Sequence, residues 1–357
     1  MNKKRVFSIV LLTLMAFSFL PVGMRPVQAQ SGQPVVVSMT LNGALTPVWK
    51  TYLQRGIDQA EAADADLIVI QLNTPGGSIT LMNDLVQQIL SSPVPVAVFV
   101  APEGAMAASA GTLLVLAGDI AAMSPGSAIG AASPVGMQGE DIETTEALKT
   151  KEILKASVRS MAERRGEEAV TLAEDAIDNA KAASAQEALT ANLIDYIAKD
   201  MDDLLAQLDG QTIAMDGKDI KLHTASAQVQ TVPANILEKV LGTLTDPNIV
   251  FVLLSLGVQA ILIELSSPGG WVAGFFGVIF LALAVYGLGI LPVNLFGLIF
   301  MVASFVLFIL DIKAPTHGAL TLAGTGSFIA GALILFNSAK VPVYTNVSVP
   351  LVVGMGV

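Results

Sequence analysis

The stretch DLIVIQLNTPGG, residues 66–77, decides the fold. Asp66 to Leu72 form a near-continuous apolar run, the pattern of a strand covered on both faces, as in parallel sheets whose crossover helices lie above and below. Asn73-Thr74-Pro75-Gly76-Gly77 then closes the run with a turn. Two adjacent glycines permit positive φ and let a ligand approach the backbone amides closely. Upstream, Val35-Val36-Val37 opens a strand, and Thr46 followed by Pro47 predicts an N-cap with proline at the first position of a helix running towards Ala63. Downstream come a helix across Leu81–Leu90, a second buried strand over Val94–Val100, and a small, apolar segment, Ala107–Ala117, expected as a helix packed in the core. This alternation implies βαβ units and an α/β domain with a largely parallel sheet.

Beyond Val135, Gly136–Ile142 is a polar connection and Glu143–Arg165 a long helix. Ser184-Ala185-Gln186-Glu187 is a capping box, in which Ser and Glu three apart satisfy each other's orphan amides. Gly210–Asn235 is polar and strand-like and leads into Ile236–Leu244. Four apolar runs come next: Ile249–Leu265, Val272–Leu288, Val293–Leu310 and Leu320–Phe336. Each is near the length that about 30 Å of hydrocarbon requires, and none has the amphipathic period of a surface helix. At the other end, residues 1–29 have the plan of a signal peptide: Lys3-Lys4-Arg5, an apolar Val6–Leu20, and Val27-Gln28-Ala29 as cleavage site. An uncleaved first membrane helix is the alternative, and in either case the positive-inside rule places the chain after residue 29 outside the cytoplasm. The expected organisation is a signal peptide (1–29), a folded extracytoplasmic domain (30–245), a multi-pass membrane domain of about four helices (246–337), and a further apolar segment (338–357) at which the chain breaks off as though truncated.

Only 14% of the 357 residues are charged and 53% are hydrophobic, against about 25% charged in soluble proteins. The net charge is −11, and no basic run occurs beyond residues 3–5, which argues against a nucleic-acid partner. The absence of cysteine excludes disulfides, a thiol nucleophile and a cysteine-ligated metal. No cofactor or metal is expected, and the partners implied by composition are lipid.

Three features carry chemistry. The Pro-Gly-Gly turn can present amides to an oxyanion. Ala107-Ala108-Ser109-Ala110-Gly111-Thr112 places a serine among small residues at a helix start, where its oxygen is open to approach and the helix dipole favours negative charge. The alternative is a small-residue packing surface. Ser124, Ser127 and Ser133 read as turn residues. A base for Ser109 could be His223, in a strand-like stretch, or a lysine of the helix after Glu143, namely Lys149, Lys151 or Lys155. A lysine acts as a base only if its surroundings bring its pKa down from about 10.4.

Together LNTPGGSI (72–79), AASAGT (107–112), MSPGSAIGAASPV (123–135), RSMAERRG (159–166), SAQEAL (184–189) and LTDPNIVFVLLSLG (244–257) resemble the NfeD family of membrane-bound, ClpP-class serine proteases associated with stomatin-like proteins. The resemblance runs from about Val35 to Phe336. It implies a ClpP/crotonase-like protease domain followed by a multi-pass α-helical membrane domain, with Ser109 as nucleophile and Lys149 as base, Lys151 being the fallback. It further implies an oxyanion hole from Gly76 or Gly77 and the Ala110 amide, a hydrophobic segment of a stomatin-like membrane protein as substrate or partner, and a homo-oligomer. The rival expectations are a catalytically silent membrane scaffold for stomatin or flotillin-like proteins and crotonase-like acyl-CoA chemistry. An exported domain without a basic cluster disfavours the latter.

Overall fold

The computed structural model describes residues 33–134, 145–215, 217–266, 270–291, 293–314, 316–337 and 346–356. The expected signal peptide and the Gly136–Ile142 connection lie outside the described residues. From the N-terminus, β1 (Val35–Asn42), α1 (Pro47–Ala62), β2 (Leu67–Asn73), α2 (Ile79–Leu90) and β3 (Val96–Val100) keep the predicted alternation. Next come β4 (Met106–Ala108), α3 (Ala110–Ala117), β5 (Ile120–Met123) and β6 (Ala128–Gly130). Then α4 (Thr145–Ala162), α5 (Glu167–Asp178), β7 (Ala182–Ser184), α6 (Ala185–Thr190), β8 (Tyr196–Ile197) and α7 (Met201–Leu208) complete the helical layers. The polar stretch after Gly210 forms β9 (Thr212–Met215), β10 (Lys218–Lys221) and β11 (Gln228–Thr231), before α8 (Ile236–Thr243).

Six strands form one sheet in the order β11-β1-β2-β3-β5-β8, and every neighbouring pair is parallel. The apolar run of β2 serves both faces. Ile68, Ile70 and Leu72 join the core beneath α1 to α5, while Leu67 and Val69 join Phe99, Ile120 and the α7 leucines on the other side. A second, small sheet, β4-β6-β7, stands at the C-terminal end of the strands, tied to it by a parallel bridge between Thr74 and Ala107. The helix expected over Ala107–Ala117 therefore begins only at Ala110, because Ala107 and Ala108 are drawn into pairing with Ile129 and Gly130. Thr46 does precede α1, but its hydroxyl caps nothing and is buried without a partner. The capping box at Ser184 and Glu187 is complete, and Asn235 with Glu238 forms a second at α8.

The apolar runs form α9 (Pro247–Ser266), α10 (Val272–Leu288), α11 (Leu295–Lys313) and α12 (Ala319–Asn337), followed by the short α13 (Val349–Gly356). Of the described helices, α9, α11 and α12 are long and apolar enough to cross a membrane; α10, at 17 residues, is apolar but shorter. Phe275, Phe276, Phe296, Ile299 and Leu322 point outward, as befits helices solvated by lipid. Glycines bring α11 and α12 together: a Cβ on Gly297 would come 2.5 Å from Leu335 Cα, and one on Gly331 would come 2.9 Å from Met301 Cγ. Small residues drive such close helix approach in a bilayer, where burial of apolar area supplies no force.

Two positions make this architecture testable. Gly130 sits at φ +119°, where a Cβ would overlap the Lys181 carbonyl and lie 2.9 Å from Ala182 Cα. Gly130→Ala should therefore destabilise the domain by about 2 kcal/mol or more, read as a fall in denaturant midpoint. The other position is Glu238. Burial pushes its carboxyl up, but hydrogen bonds from Arg55 and from the Asn235 amide, with the attraction of the Arg55 charge, hold it below the usual glutamate value. A depressed carboxylate contributes stability that is present above its unfolded pKa and lost as pH falls through the folded one. Hydrogen exchange of the α8 amides should accelerate beyond the intrinsic rate as pH drops below about 4, and Arg55→Ala should flatten that dependence.

Candidate active site

Ser109 stands between β4 and α3, at the N-cap position of the helix, with φ 54° and ψ −122°. A left-handed backbone at a residue other than glycine costs on the order of 1–3 kcal/mol and persists only where neighbours enforce it. Here the backbone is held on both sides. The Ser109 N–H donates to Gly130 O at 2.9 Å, and the Ser109 carbonyl accepts from the Thr112 N–H at 3.0 Å. The fully buried Thr112 hydroxyl lies 3.0 Å from Ala107 O and 3.1 Å from Gly130 O, and accepts the Gly130 N–H at 3.1 Å. The Ser109 side chain is half-buried, and among the described residues its hydroxyl neither caps α3 nor has another hydrogen-bond partner. It is a hydroxyl held rigidly from behind and left open in front.

The Pro-Gly-Gly turn lies against it. Thr74 N–H donates to Met106 O at 2.7 Å and Ala108 N–H to Thr74 O at 3.0 Å, so the end of β2 pairs alongside β4. Gly76 adopts φ +107°, and a Cβ there would come 2.6 Å from Ser109 Cβ and 3.1 Å from its Oγ. Only glycine can pass so near. The two glycine amides differ in what remains available. Buried Gly76 donates its N–H to Thr74 Oγ1 at 3.0 Å, whereas exposed Gly77 has no acceptor among the described residues, and neither has Ala110 at the start of α3. Gly76 O in turn accepts the Leu45 N–H at 2.9 Å, which fixes the turn to the segment entering α1. Sequence reasoning misses the roles of Thr74 and Thr112. The available signal is a single threonine in each of the two motifs, NTPGG and AASAGT.

The lysines of α4 separate clearly. Lys155 pairs with Asp178 at 2.7 Å and approaches Glu152 at 3.7 Å; the hydrogen bond to Asp178 raises its pKa, which favours the charged ammonium over a base. Lys151 donates to Asp178 O at 3.1 Å. Lys149 is exposed and, among the described residues, has neither a hydrogen bond nor an ion pair. It makes no hydrogen bond to Ser109. α4 packs on α5 and α3 through the buried Leu154 and Val158. His223 is exposed just past β10 with no hydrogen bond to Ser109, and His317 occupies the turn before α12. Ser127 donates to Ser124 O within one turn, whereas Ser124 and Ser133 donate to the distant Val100 and Ile177 carbonyls. A cleft of about 480 Å³ beside Arg165, Asp195 and Ile213 and one of about 580 Å³ between α5 and β7 include none of Ser109, Gly76, Gly77 or Lys149.

Known proteins resemble this chain in sequence and in fold. Residues 35–216 match the NfeD1b N-terminal domain and residues 248–357 the NfeD integral membrane domain. The membrane-bound protease PH1510 of Pyrococcus horikoshii is 32% identical over 336 residues, covering 93% of this chain and 74% of that protein. Membrane protein NfeD1b of Bacillus subtilis is 30% identical over 296 residues, 82% of this chain and 64% of that protein. Among solved structures, the 1510-N membrane-bound stomatin-specific protease, as a lysine-to-alanine mutant in complex with a substrate peptide, superposes with a TM-score of 0.55 at 30% identity over 59% of this chain and 98% of that one. A serine-to-alanine mutant of the same protease gives 0.52 at 30% identity over 57% and 100%. A mixed α/β domain with the fold of the 1510-N protease, followed by apolar helices long enough to cross a membrane, is thus present. Two matched domains that together span nearly the whole described chain, and a relative sharing about a third of its residues along 93% of it, make this chain a membrane protein of the NfeD family.

Proposed function

We propose that the chain is a membrane-anchored serine endopeptidase that uses Ser109 and Lys149 as a catalytic dyad. The observation that carries this is the Ser109 hydroxyl itself: unpartnered, on a strained N-cap, beside the free amides of Ala110 and Gly77. Neutral Lys149 takes the Ser109 proton as Oγ attacks a peptide carbonyl. The carbonyl π electrons move onto oxygen, and the oxyanion is received by the Ala110 and Gly77 amides, with Gly76 shaping the turn. Collapse of the tetrahedral intermediate expels the amine, which takes the proton from the lysine, and water then hydrolyses the acyl-enzyme. An amine becomes a useful base when water is stripped from it. Lys149 is exposed beside the exposed Leu148, so a hydrophobic segment lying across α4 would do the stripping, and catalysis would await its arrival.

The relatives support this role. One is named a stomatin-specific protease and was solved both with a serine and with a lysine replaced by alanine. The C-terminal region of a stomatin-like membrane protein is the substrate class we assign. We place the protease domain on the extracytoplasmic side, in keeping with the N-terminal Lys3-Lys4-Arg5 cluster, and expect a homo-oligomer that encloses the sites. A second reading, a silent scaffold for stomatin-like partners, is favoured by one observation, the absence of a hydrogen bond between Lys149 and Ser109.

The chain in detergent should cleave hydrophobic peptides and take up a fluorophosphonate at Ser109, located by mass spectrometry. Ser109→Ala should abolish both. Lys149→Ala should lower the rate by about 100- to 10,000-fold while Lys151→Ala leaves most of it. Equal cleavage by wild type and Ser109→Ala would remove the nucleophile, and loss only in Lys151→Ala would move the base. No cleavage and no labelling by the wild type would favour the scaffold.

A further inference from the structure

α8 is an eight-residue helix with two unlike sides. Ile236, Leu237 and Val240 are 83%, 65% and 51% exposed, and the i, i+1, i+4 spacing gathers them on one side. Glu238, in contrast, is buried, and its carboxylate accepts from Arg55 Nη2 at 2.6 Å and Arg55 Nε at 3.2 Å. Arg55 also donates to Pro233 O at 2.9 Å and lies 5.3 Å from the Tyr52 ring centroid, and Tyr52 Oη donates to Val232 O at 2.7 Å. The inner side of α8 is therefore fastened to α1, and the apolar side is left without a protein partner among the described residues.

What that side meets is set by chain length. Only Leu244, Thr245 and Asp246 separate α8 from α9, a connection that spans at most about 14 Å even when extended. It is not extended. The Thr245 N–H turns back to Gly242 O at 3.1 Å, Asp246 N–H to Thr243 O at 3.1 Å, and the buried Leu244 packs its carbonyl against Gly287 at the end of α10. The exit of α8 thus rests on the end of the membrane helices. A soluble protein presenting three large aliphatic side chains in such a row would face water at a cost, but here the nearest medium is the headgroup region of a bilayer.

We propose that α8 is an interfacial helix: Ile236, Leu237 and Val240 insert into the headgroup–acyl boundary of the same bilayer that α9, α11 and α12 span. Amphipathic helices bind such boundaries through their apolar face, and the exposed Lys239 can reach lipid phosphates by extending its stem along the surface. The partner is a phospholipid surface. The consequence is positional. α8 is joined through Arg55 and Tyr52 to α1, and the segment entering α1 holds the Gly76 carbonyl through Leu45. The turn beside Ser109 is thereby kept at one height and tilt over the membrane. This inference stands whether or not the chain hydrolyses peptides.

The chain contains no cysteine, so a single Leu237→Cys substitution can carry a nitrobenzoxadiazole fluorophore without background. The labelled full chain is placed in phosphatidylcholine–phosphatidylglycerol nanodiscs, with and without nitroxide-bearing lipids. The expected result is blue-shifted emission, protected from aqueous iodide, that is strongly quenched by shallow nitroxide lipids, as for an interfacial helix. Water-like, iodide-quenched emission would overturn the proposal. Blue-shifted emission insensitive to nitroxide lipids would overturn it as well, since protein would then cover the face. Val240→Cys should repeat the Leu237→Cys result, and a divergence between the two would also count against insertion.

Discussion

The left-handed backbone of Ser109 is the constraint on which the candidate active site depends. A serine at φ 54° relaxes unless both its amide and its carbonyl are held, and here they are held by Gly130 and Thr112. Gly130 can do so because a backbone without a side chain lets β6 pass against Lys181 and Ala182. Thr112 reaches back from the first turn of α3 to both β4 and β6. The small second sheet is thus a brace. Its three short strands bury little apolar surface, yet they decide which way one hydroxyl points and leave the first amide of α3 without an acceptor. The same logic governs Thr74, whose hydroxyl takes up the Gly76 amide and so leaves Gly77 as the free donor in that turn.

Most of the main sheet was legible because a strand buried on both faces has few alternatives. DLIVIQL cannot expose either side, and the helix before it carries a start signal in Pro47 at its first position. Met106–Ala108 was not legible, since alanine and small neighbours fit a helix as well as a short strand, and the choice is made by Thr74 and Ile129, which are distant in sequence. The pairing of β11 with β1 was equally hidden. Val35 and Gln228 pair from opposite ends of the domain's sequence, and a parallel pair across that separation leaves no local trace. At the site, Ser109 and the glycine turn stood out through their composition. The difference between Gly76 and Gly77 did not, because it arises from one buried hydroxyl, and neither did the sorting of the α4 lysines, which rests on Asp178 and Glu152 accepting Lys151 and Lys155.

The membrane region was readable for a different reason. Lipid cannot hydrogen-bond a bare backbone, so an apolar run of sufficient length has little choice but a helix. Which helix packs on which was less apparent, although Gly297 and Gly331 mark one contact. Their absent side chains allow the close approach of α11 and α12, a device that depends on shape where hydrophobic burial is no longer a driving force.

Under the proposed function, a substrate embedded in the same bilayer would change what the anchor must accomplish. A domain on a long flexible tether would sweep a wide volume, and its effective concentration at any one peptide bond would fall as the tether lengthened. Three folded-back residues between α8 and α9, together with the Arg55–Glu238 pair, confine the domain instead. Under the proposed function, only segments that leave the membrane at a matching height would lie across α4 and reach Ser109. Selectivity of that kind needs no recognition of individual side chains beyond an apolar character, which accords with the small and apolar neighbours of the serine. Depth, set by the stiffness of the joint, would do the work that a specificity pocket does in a soluble protease.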